Sequence, residues 1–246
     1  MPQFSIGGVA LGLALLLSGC ASSQAPYNPF RVPPEQWRGK VKIVALAPMY
    51  ASRELENPNP ATEKFLTMMK TELRGAGLTI IEPSEFKMIW DSMAAQVDGF
   101  YDPKTGQRDE VKLKAMRLHV YRELKGKFNI DALLFSYLTI VGAKLDHDEA
   151  KWDGVSQGAG KKAFLKALLG MSHYGTVPAL SLQVNLSDTD DTDLYQNAGG
   201  IEVAAKIGPN SRFDPVPREE LFTDEERNVR AVHLALDPML GRATKK

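Results

Sequence analysis

Two acidic clusters in the second half of the chain carry residue types that bind divalent cations. The first cluster contains Asp146, His147, Asp148, Glu149 and Asp153, and the second contains Asp188, Asp190, Asp191 and Asp193. Neighbouring ligands in the first cluster would point in different directions along a strand turn, whereas metal ligands must converge. The second cluster lacks the glycine and the final glutamate that shape a calcium-binding loop. We therefore predict a solvated hairpin tip, an Asp-rich hairpin turn and no metal site.

A glycine-rich run from Gly154 to Gly160 is followed by Lys161 and Lys162, which are residue types that hold phosphate groups. In a phosphate-binding loop the glycine backbone and a lysine surround the phosphates, and the next Ser or Thr hydroxyl binds magnesium. The spacing in this chain is one residue too long, and Lys162 stands where the hydroxyl is needed. The run therefore indicates a flexible insertion rather than a nucleotide site, and no cofactor is predicted.

The sequence does not group residues for nucleophilic catalysis. Its four histidines are far apart, at His119, His147, His173 and His233. The single cysteine lies next to an apolar segment near the amino terminus. We predict no catalytic residue and no enzymatic activity.

Cys20 is that single cysteine, and it follows an apolar run from Ile6 to Leu17 and the small residues Ser18 and Gly19. The run is too short for a transmembrane helix, which needs about 20 apolar residues. An apolar run that ends in small residues is typical of a signal peptide that is removed. The alternative is that Cys20 is a buried thiol at the edge of an ordinary hydrophobic strand.

The sequence Leu17-Ser18-Gly19-Cys20 resembles the bacterial lipobox. The resemblance implies cleavage after residue 19 and attachment of lipid, including palmitate, to Cys20. Several acyl chains, at about 0.8 kcal/mol per buried methylene, would anchor the protein stably to a membrane. Because Ala21 stands where an inner-membrane retention signal would have Asp, the resemblance further implies the periplasmic face of the outer membrane.

Composition limits the partners that the chain can have. Thirty Lys plus Arg balance thirty Asp plus Glu, so the net charge is zero. Nucleic-acid binding relies on clustered cations, so we do not predict a nucleic-acid partner. One cysteine cannot form an intramolecular disulfide, and the domain must be stabilised by packing alone.

The pattern of apolar residues predicts one α/β domain behind the signal peptide. Residues 1–19 are the predicted signal peptide, residues 20–39 a lipidated, Pro-rich flexible tether, and residues 40–246 a single domain with an insertion at about 158–175. Apolar runs of strand length occur at 41–47, 78–82, 131–141, 176–186 and 193–207, with a further strand near 151–157. Apolar stripes with helical spacing occur at about 60–75, 84–97, 109–125 and 218–240. We expect a mixed sheet of about five to six strands that is flanked by helices.

The order of these elements resembles the family of envelope lipoproteins that includes CsgG and LpoB, together with related transport-auxiliary lipoproteins. Residues 42–48, 73–83 and 129–138 and the sequence Gly199-Gly200-Ile201-Glu202 carry the resemblance. The resemblance implies a three-layer α/β sandwich like that of the TolB amino-terminal domain and a role in docking onto other envelope proteins. CsgG inserts long amphipathic strand pairs into the membrane, and such stretches of about 10 alternating residues are absent from this sequence. A pore is therefore not predicted.

A segment inside the predicted insertion has an amphipathic pattern. Its cationic and apolar residues are Lys161, Lys162, Phe164, Leu165, Leu168 and Leu169. A short helix with this pattern could lie on a membrane surface or insert into the groove of a partner. The alternative is that it packs on its own domain.

Taken together, the sequence predicts a non-enzymatic envelope lipoprotein that recruits or regulates a periplasmic or outer-membrane complex by protein contact. The alternative is a subunit of an oligomeric secretion or transport assembly, in which the chain would form a homo-oligomer. The sequence names no envelope partner.

Overall fold

The computed structural model describes residues 27–55, 57–97, 99–101, 104–146, 149–158, 175–207 and 213–243. Its helices are α1 (Pro34–Trp37), α2 (Asn59–Gly75), α3 (Pro83–Ala94), α4 (Glu110–Phe128) and α5 (Glu225–Leu240), with a short 3-10 helix at Arg218–Glu220. Its strands are β1 (Ile43–Leu46), β2 (Tyr50–Ala51), β3 (Thr79–Ile81), β4 (Ala132–Asp146), β5 (Glu149–Trp152), β6 (Val155–Gly158), β7 (Gly175–Asp188), β8 (Asp193–Val203), β9 (Ala205–Ile207) and β10 (Phe213–Pro215). Within these residues, no helix is both long enough and apolar enough to cross a membrane.

A mixed sheet forms the centre of the molecule, as the sequence predicts. β4 is its longest strand and pairs in parallel with β1 and β2 and antiparallel with β7 and β5. β3 extends the sheet beyond β1, β8 extends it beyond β7, and β6 pairs with β5. In the described part of the chain the sheet has eight strands rather than five to six. Two strands are added because residues 149–158 fold as a hairpin and because β2 is a separate short strand.

Helices cover both faces of the sheet, which gives the three layers of an α/β sandwich. α2 and α5 pack on one face, where Phe65, Met69 and Leu236 are fully buried against β4 and β7. α3 and α4 pack on the other face, where Phe86 and Tyr121 lie among residues of β1 and β4. Apolar residues at helical spacing on the helices therefore meet apolar residues on both faces of the strands.

The β5–β6 hairpin adds a second, smaller core on the face of β8 opposite α5. Trp152 and Val155 from this hairpin are buried with Val177 of β7 and Val203 of β8. The indole N–H of Trp152 donates a hydrogen bond of 3.0 Å to the Leu180 carbonyl. β8 is thus enclosed between α5 and the hairpin.

Two adjacent glycines of β8 make this enclosure possible. A Cβ atom on Gly199 would overlap the Ala231 carbonyl oxygen of α5, and one on Gly200 would overlap Val155 and lie 2.8 Å from the indole nitrogen of Trp152. Glycine is required at both positions because backbone and ring atoms approach too closely for any side chain.

The segment before β1 packs against the domain instead of forming a tether throughout. The Gln196 N–H donates to the Pro29 carbonyl at 2.8 Å, and the Arg31 N–H donates to the Leu194 carbonyl at 3.0 Å. Trp37 is buried in the main core. Residues 29–39, which the sequence placed in the tether of residues 20–39, therefore belong to the domain.

Three helices differ from the sequence prediction. The prolines do not prevent α1, because Pro34 stands at the first helical position, where no backbone N–H is needed. α4 continues through Gly126 and ends where Asn129 adopts a left-handed conformation. The last helix begins later than predicted, because the Asp224 carboxylate caps its first turn by accepting a hydrogen bond from the Arg227 N–H at 3.1 Å.

We expect Gly199→Ala to lower the melting temperature of the domain strongly. The added methyl group would overlap a backbone carbonyl that cannot rotate away, so α5 would have to move off the sheet. Overpacking of this kind costs about 3 kcal/mol. For a domain of this size that cost lowers Tm by roughly 6–12 °C, which thermal denaturation followed by circular dichroism would measure.

Gly126→Ala is the matched control for this substitution. A methyl group at Gly126 meets no heavy atom within 4 Å, and alanine inside a helix is favoured over glycine by about 1 kcal/mol. This variant should melt at or slightly above the wild-type temperature. A Gly199→Ala protein that melts with the wild type would contradict the close packing of α5 on β8.

An ion-pair network between α2 and the end of α5 should make stability depend on pH. Glu72 accepts a hydrogen bond of 2.6 Å from Arg242 and lies 3.4 Å from the His233 ring nitrogen. Partial burial works to raise the pKa of Glu72, but the hydrogen bonds from Arg242 and His233 outweigh it and lower the pKa. The contribution of Glu72 to stability is therefore present above its unfolded pKa, about 4.3, and is lost as pH falls through the folded value.

Urea unfolding of Glu72→Gln and wild type across pH 3 to 7 would test this dependence. The variant should be less stable than the wild type at pH 7, and the two should converge as pH falls below about 4. Glu63→Gln, at an exposed position of the same helix, is the control and should follow the wild type throughout. A difference between Glu72→Gln and wild type that stays constant with pH would contradict the role of the carboxylate charge.

Candidate docking groove

The carboxylates of the first acidic cluster are directed to different protein groups. Asp146 and Glu149 both lie near the Lys151 ammonium, at 3.8 and 3.3 Å. Asp153 instead accepts a hydrogen bond of 2.5 Å from the buried Ser181 hydroxyl. His147 and Asp148 lie outside the described residues. Across the described part of the chain, no three His, Cys, Asp or Glu side chains are grouped so that they could hold a metal ion.

The second acidic cluster forms the turn between β7 and β8. The Asp188 carboxylate accepts hydrogen bonds from the N–H groups of Asp190 and Thr192, both at 2.9 Å. Asp191 has a positive φ of 65° and points towards α4. These contacts close the hairpin in the way that short polar turn residues do.

Asp191 links this turn to α4 through a partly buried ion pair. Its carboxylate lies 3.0 Å from the Arg117 guanidinium and accepts a hydrogen bond of 3.1 Å from the Tyr121 hydroxyl. Burial raises the pKa of Tyr121, and the nearby charge of Asp191 raises it further. The pKa of Arg117 is raised chiefly by its hydrogen bond to Asp191. The three groups therefore fasten the hairpin to the helix.

The two described histidines lie on different helices, each beside a glutamate. His119 lies on α4 within 3.8 Å of Glu123, and His233 lies on α5 beside Glu72. Outside the described residues are His173, Cys20 and the amphipathic segment Lys161, Lys162, Phe164, Leu165, Leu168 and Leu169.

A groove lies at the amino-terminal ends of α2 and α5, and we call it the docking groove. It has a volume of about 610 Å³. Its lining is formed by Glu54, Leu55, Asn57, Pro58, Pro60, Ala61, Lys64, Ile140, Ala204, Pro215, Val216, Arg218, Glu219, Leu221 and Phe222. Ile140 of β4 forms part of the floor, and residues before α2 and before α5 form the walls. Most of the lining is apolar, and three of its residues are prolines, which have no N–H to donate.

Phe222 is the most constrained residue of the docking groove. Its φ of 60° is left-handed, which is rare for a bulky side chain and costs on the order of 1–3 kcal/mol. Its N–H donates to the Glu202 carboxylate at 2.6 Å, and its carbonyl accepts from the Asn228 amide at 2.9 Å and from the Lys64 ammonium at 3.1 Å. These bonds hold the strained backbone, and the ring packs edge-on against Phe65 with centroids 5.9 Å apart.

Glu202, which holds the Phe222 N–H, is a nearly buried carboxylate at the end of β8. Its side chain is 8% exposed and lies 3.6 Å from the Arg227 guanidinium of α5. A buried carboxylate needs such partners, because desolvation alone would disfavour its charge. The position of the groove wall therefore depends on one buried acid and its hydrogen bonds.

The charged side chains of the docking groove lie mainly at its rim. Glu54, Arg218 and Glu219 are exposed, and Lys64 is half-buried and paired with Glu225 at 2.5 Å. An apolar floor with charges at the rim is the arrangement of a protein-contact site, in which the buried centre is depleted of charge. Proton transfer would instead need titratable groups that converge on one point.

Sequence reasoning missed this groove. The prolines around Asn57–Pro60 and Pro215–Pro217 indicate loops, but nothing in the spacing indicates that these two loops meet. They are brought together because α2 and α5 lie side by side on the same sheet face, with Lys64 near Glu225 at one end and Glu72 near Arg242 at the other.

No protein-family model and no curated protein matches this chain. Among the solved structures that are similar to it is lipoprotein GNA1162 from Neisseria meningitidis, with 14% identity and a TM-score of 0.31 over 66% of this chain and 84% of that one. The LpoB C-terminal domain from Salmonella enterica has 11% identity and a TM-score of 0.32 over 65% of this chain and 82% of its own.

A third similar structure is a neuraminyllactose-binding hemagglutinin homolog from Helicobacter pylori. It has 8% identity and a TM-score of 0.34 and covers 82% of this chain and 85% of its own. TM-scores this low carry no functional argument, so no residue role is transferred from these proteins. The α/β sandwich is established by the strands and helices of this chain itself.

Proposed function

We propose that this chain is a lipid-tethered, non-enzymatic protein of the bacterial envelope that binds a partner polypeptide through the docking groove. The observation that carries the proposal is the apolar groove beside Phe222, whose backbone is held in a strained conformation by Glu202 and Asn228. Strain of this kind persists only where surrounding structure enforces it, and it is concentrated at functional sites.

The proposed anchor is supported by the sequence before the domain. An apolar run, two small residues and a single cysteine occur in the order of a lipoprotein signal. Lipid on Cys20 would hold the domain close to a bilayer, and the residue after the cysteine favours the periplasmic side of the outer membrane. Proteins of that surface are then the partners that the groove would meet.

The composition of the docking groove supports protein contact over catalysis. Apolar side chains such as Leu55, Val216 and Leu221 form the lining, and the rim carries both signs of charge. Burying apolar side chains of a partner would yield about 25 cal/mol per Å² of surface removed from water. We therefore propose recruitment or regulation of an envelope complex by direct contact.

Metabolic labelling with radioactive palmitate tests the anchor. The label should enter the wild-type protein and be lost in Cys20→Ala, because Cys20 is the one cysteine of the chain. Membrane fractionation should show the same variant released from the outer membrane. Equal labelling of both proteins would contradict lipid attachment at this residue.

Photocrosslinking in intact cells tests the docking groove. A photoreactive amino acid at the exposed rim residue Glu219 should form a crosslinked product with the partner. Adding Ala61→Glu should reduce the yield of this product by about tenfold, because a charge placed in an apolar contact centre is costly. Ala61 lies in the first turn of α2, where an acidic side chain favours the helix, so folding should be retained.

Asn59→Glu is the matched control for the crosslinking experiment. It places the same charge at the same end of α2, but Asn59 is exposed and does not line the groove. Its crosslink yield should stay within about twofold of the wild type, as is usual for surface positions away from a contact centre. Equal yields from Ala61→Glu and wild type would contradict partner binding at the docking groove.

A further inference from the structure

The edge of β4 that faces β1, β2 and β5 is not paired along its whole length. β1 pairs with residues 132–134, β2 pairs with residues 137–138, and β5 pairs with residues 144–146. On its opposite edge, β4 pairs with β7 continuously from Ala132 to Leu145. Among the residues that the structure describes, 139–143 therefore have no strand partner on this edge, and we call this stretch the β4 gap.

The alternation of the strand identifies the backbone groups that face the β4 gap. The carbonyl groups of Leu134 and Leu138 accept hydrogen bonds from Ala47 and Ser52, which lie on the side of β1 and β2. Backbone groups of every second residue point to the same edge. The N–H and C=O groups of Ile140 and Gly142 must therefore face the gap, and no described residue bonds to them.

The exposure of the two residues agrees with an open edge. Gly142 is exposed and Ile140 is half-buried, although β4 is otherwise among the most buried strands. With no partner among the described residues, the N–H and C=O groups of these two residues present four hydrogen-bonding positions in strand register, which is the usual template for an added strand.

The docking groove lies directly beside the β4 gap, since Ile140 belongs to both. The Ile140 side chain packs on the sheet face that carries α2 and α5. A strand added at the gap would place every second side chain on that same face. Those side chains would enter the apolar space between Leu55 and Val216.

We propose that the docking groove binds an extended segment of a partner protein as a short added strand on β4, with backbone hydrogen bonds to Ile140 and Gly142 and alternate apolar side chains in the groove. This inference rests on the proposed function, because it names the form in which the partner binds. The partner segment needs about five residues, apolar at every second position, without proline where it pairs.

The length of the β4 gap favours an extended segment over the sheet edge of a second copy. β2 and β5 close the gap at both ends, so about five residues, or roughly 16 Å, are accessible. A single extended chain can enter such a space and leave it again. The edge of a folded sheet carries its own neighbouring strands and would meet β2 and β5 before it could pair.

Peptides selected from a random library of eight residues against the full chain in detergent would test the proposal. Selected peptides should slow amide hydrogen exchange at Ile140 and Gly142. Methylation of alternate peptide nitrogens should weaken binding by about tenfold or more, because each blocked N–H leaves a backbone acceptor unpaired.

Two substitutions of the same residue make the test specific. Gly142→Pro removes an N–H that bonds to no described residue, and it should weaken peptide binding by about tenfold. Gly142→Ala keeps the N–H, and its added methyl group meets Thr176 at an ordinary contact distance of 3.6 Å, so it should bind as the wild type does. If Gly142→Pro does not fold, the methylated peptides on the wild-type protein decide the result.

Three outcomes would overturn the inference. Selected peptides could bind a folded Gly142→Pro protein with unchanged affinity, or they could protect the edge of β3 instead of β4. Alternatively, Ile140 and Gly142 could become protected without peptide as the protein concentration rises, which would assign the edge to a second copy. If no strand pairs with β4 but Ala61→Glu still reduces crosslinking, this inference fails and the proposed function stands. If Ala61→Glu does not reduce crosslinking, the proposed function fails and only the peptide result remains.

Discussion

The close approach of α5 and the β5–β6 hairpin to opposite faces of β8 is the contact on which the rest of the fold depends. The Ala231 backbone lies against Gly199, and Trp152 and Val155 lie against Gly200. Neither glycine contributes a side chain to these contacts, so β8 cannot absorb small changes in distance by a rotamer change. The approach fixes where α5 lies along the sheet and joins the main core to the smaller one.

The position of α5 in turn determines the shape of the docking groove. Glu202 follows the two glycines on β8 and holds the Phe222 N–H, and Asn228 of α5 holds the Phe222 carbonyl. The strained residue thus bridges the strand and the helix that the glycines bring together. The close packing at the two glycines therefore fixes the position of Phe222, and with it the apolar wall of the docking groove, through these two hydrogen bonds. Ile140 completes this surface from the neighbouring part of the sheet.

The layers of the fold could be predicted from the sequence, but the groove could not. Apolar runs such as residues 131–141 and stripes such as Phe65, Met69 and Leu73 reflect local periodicity, which a single sequence displays directly. Phe222 adopts its left-handed conformation because of Glu202, twenty positions earlier, and no local pattern indicates that. The packing of residues 29–39 on β8 was also missed, because prolines and polar residues are typical of an extended tether and conceal the burial of Trp37.

The chain enters the domain and presents the docking groove at opposite ends of α5. Tyr27 donates a hydrogen bond to the Gln196 carbonyl, and Arg38 donates to the carbonyl groups of Pro238 and Met239 at the carboxyl end of the helix. Phe222 lies before the amino end of the same helix, about 24 Å away at 1.5 Å per residue. A force transmitted between residues that precede Tyr27 and a partner in the docking groove would therefore run along the axis of α5.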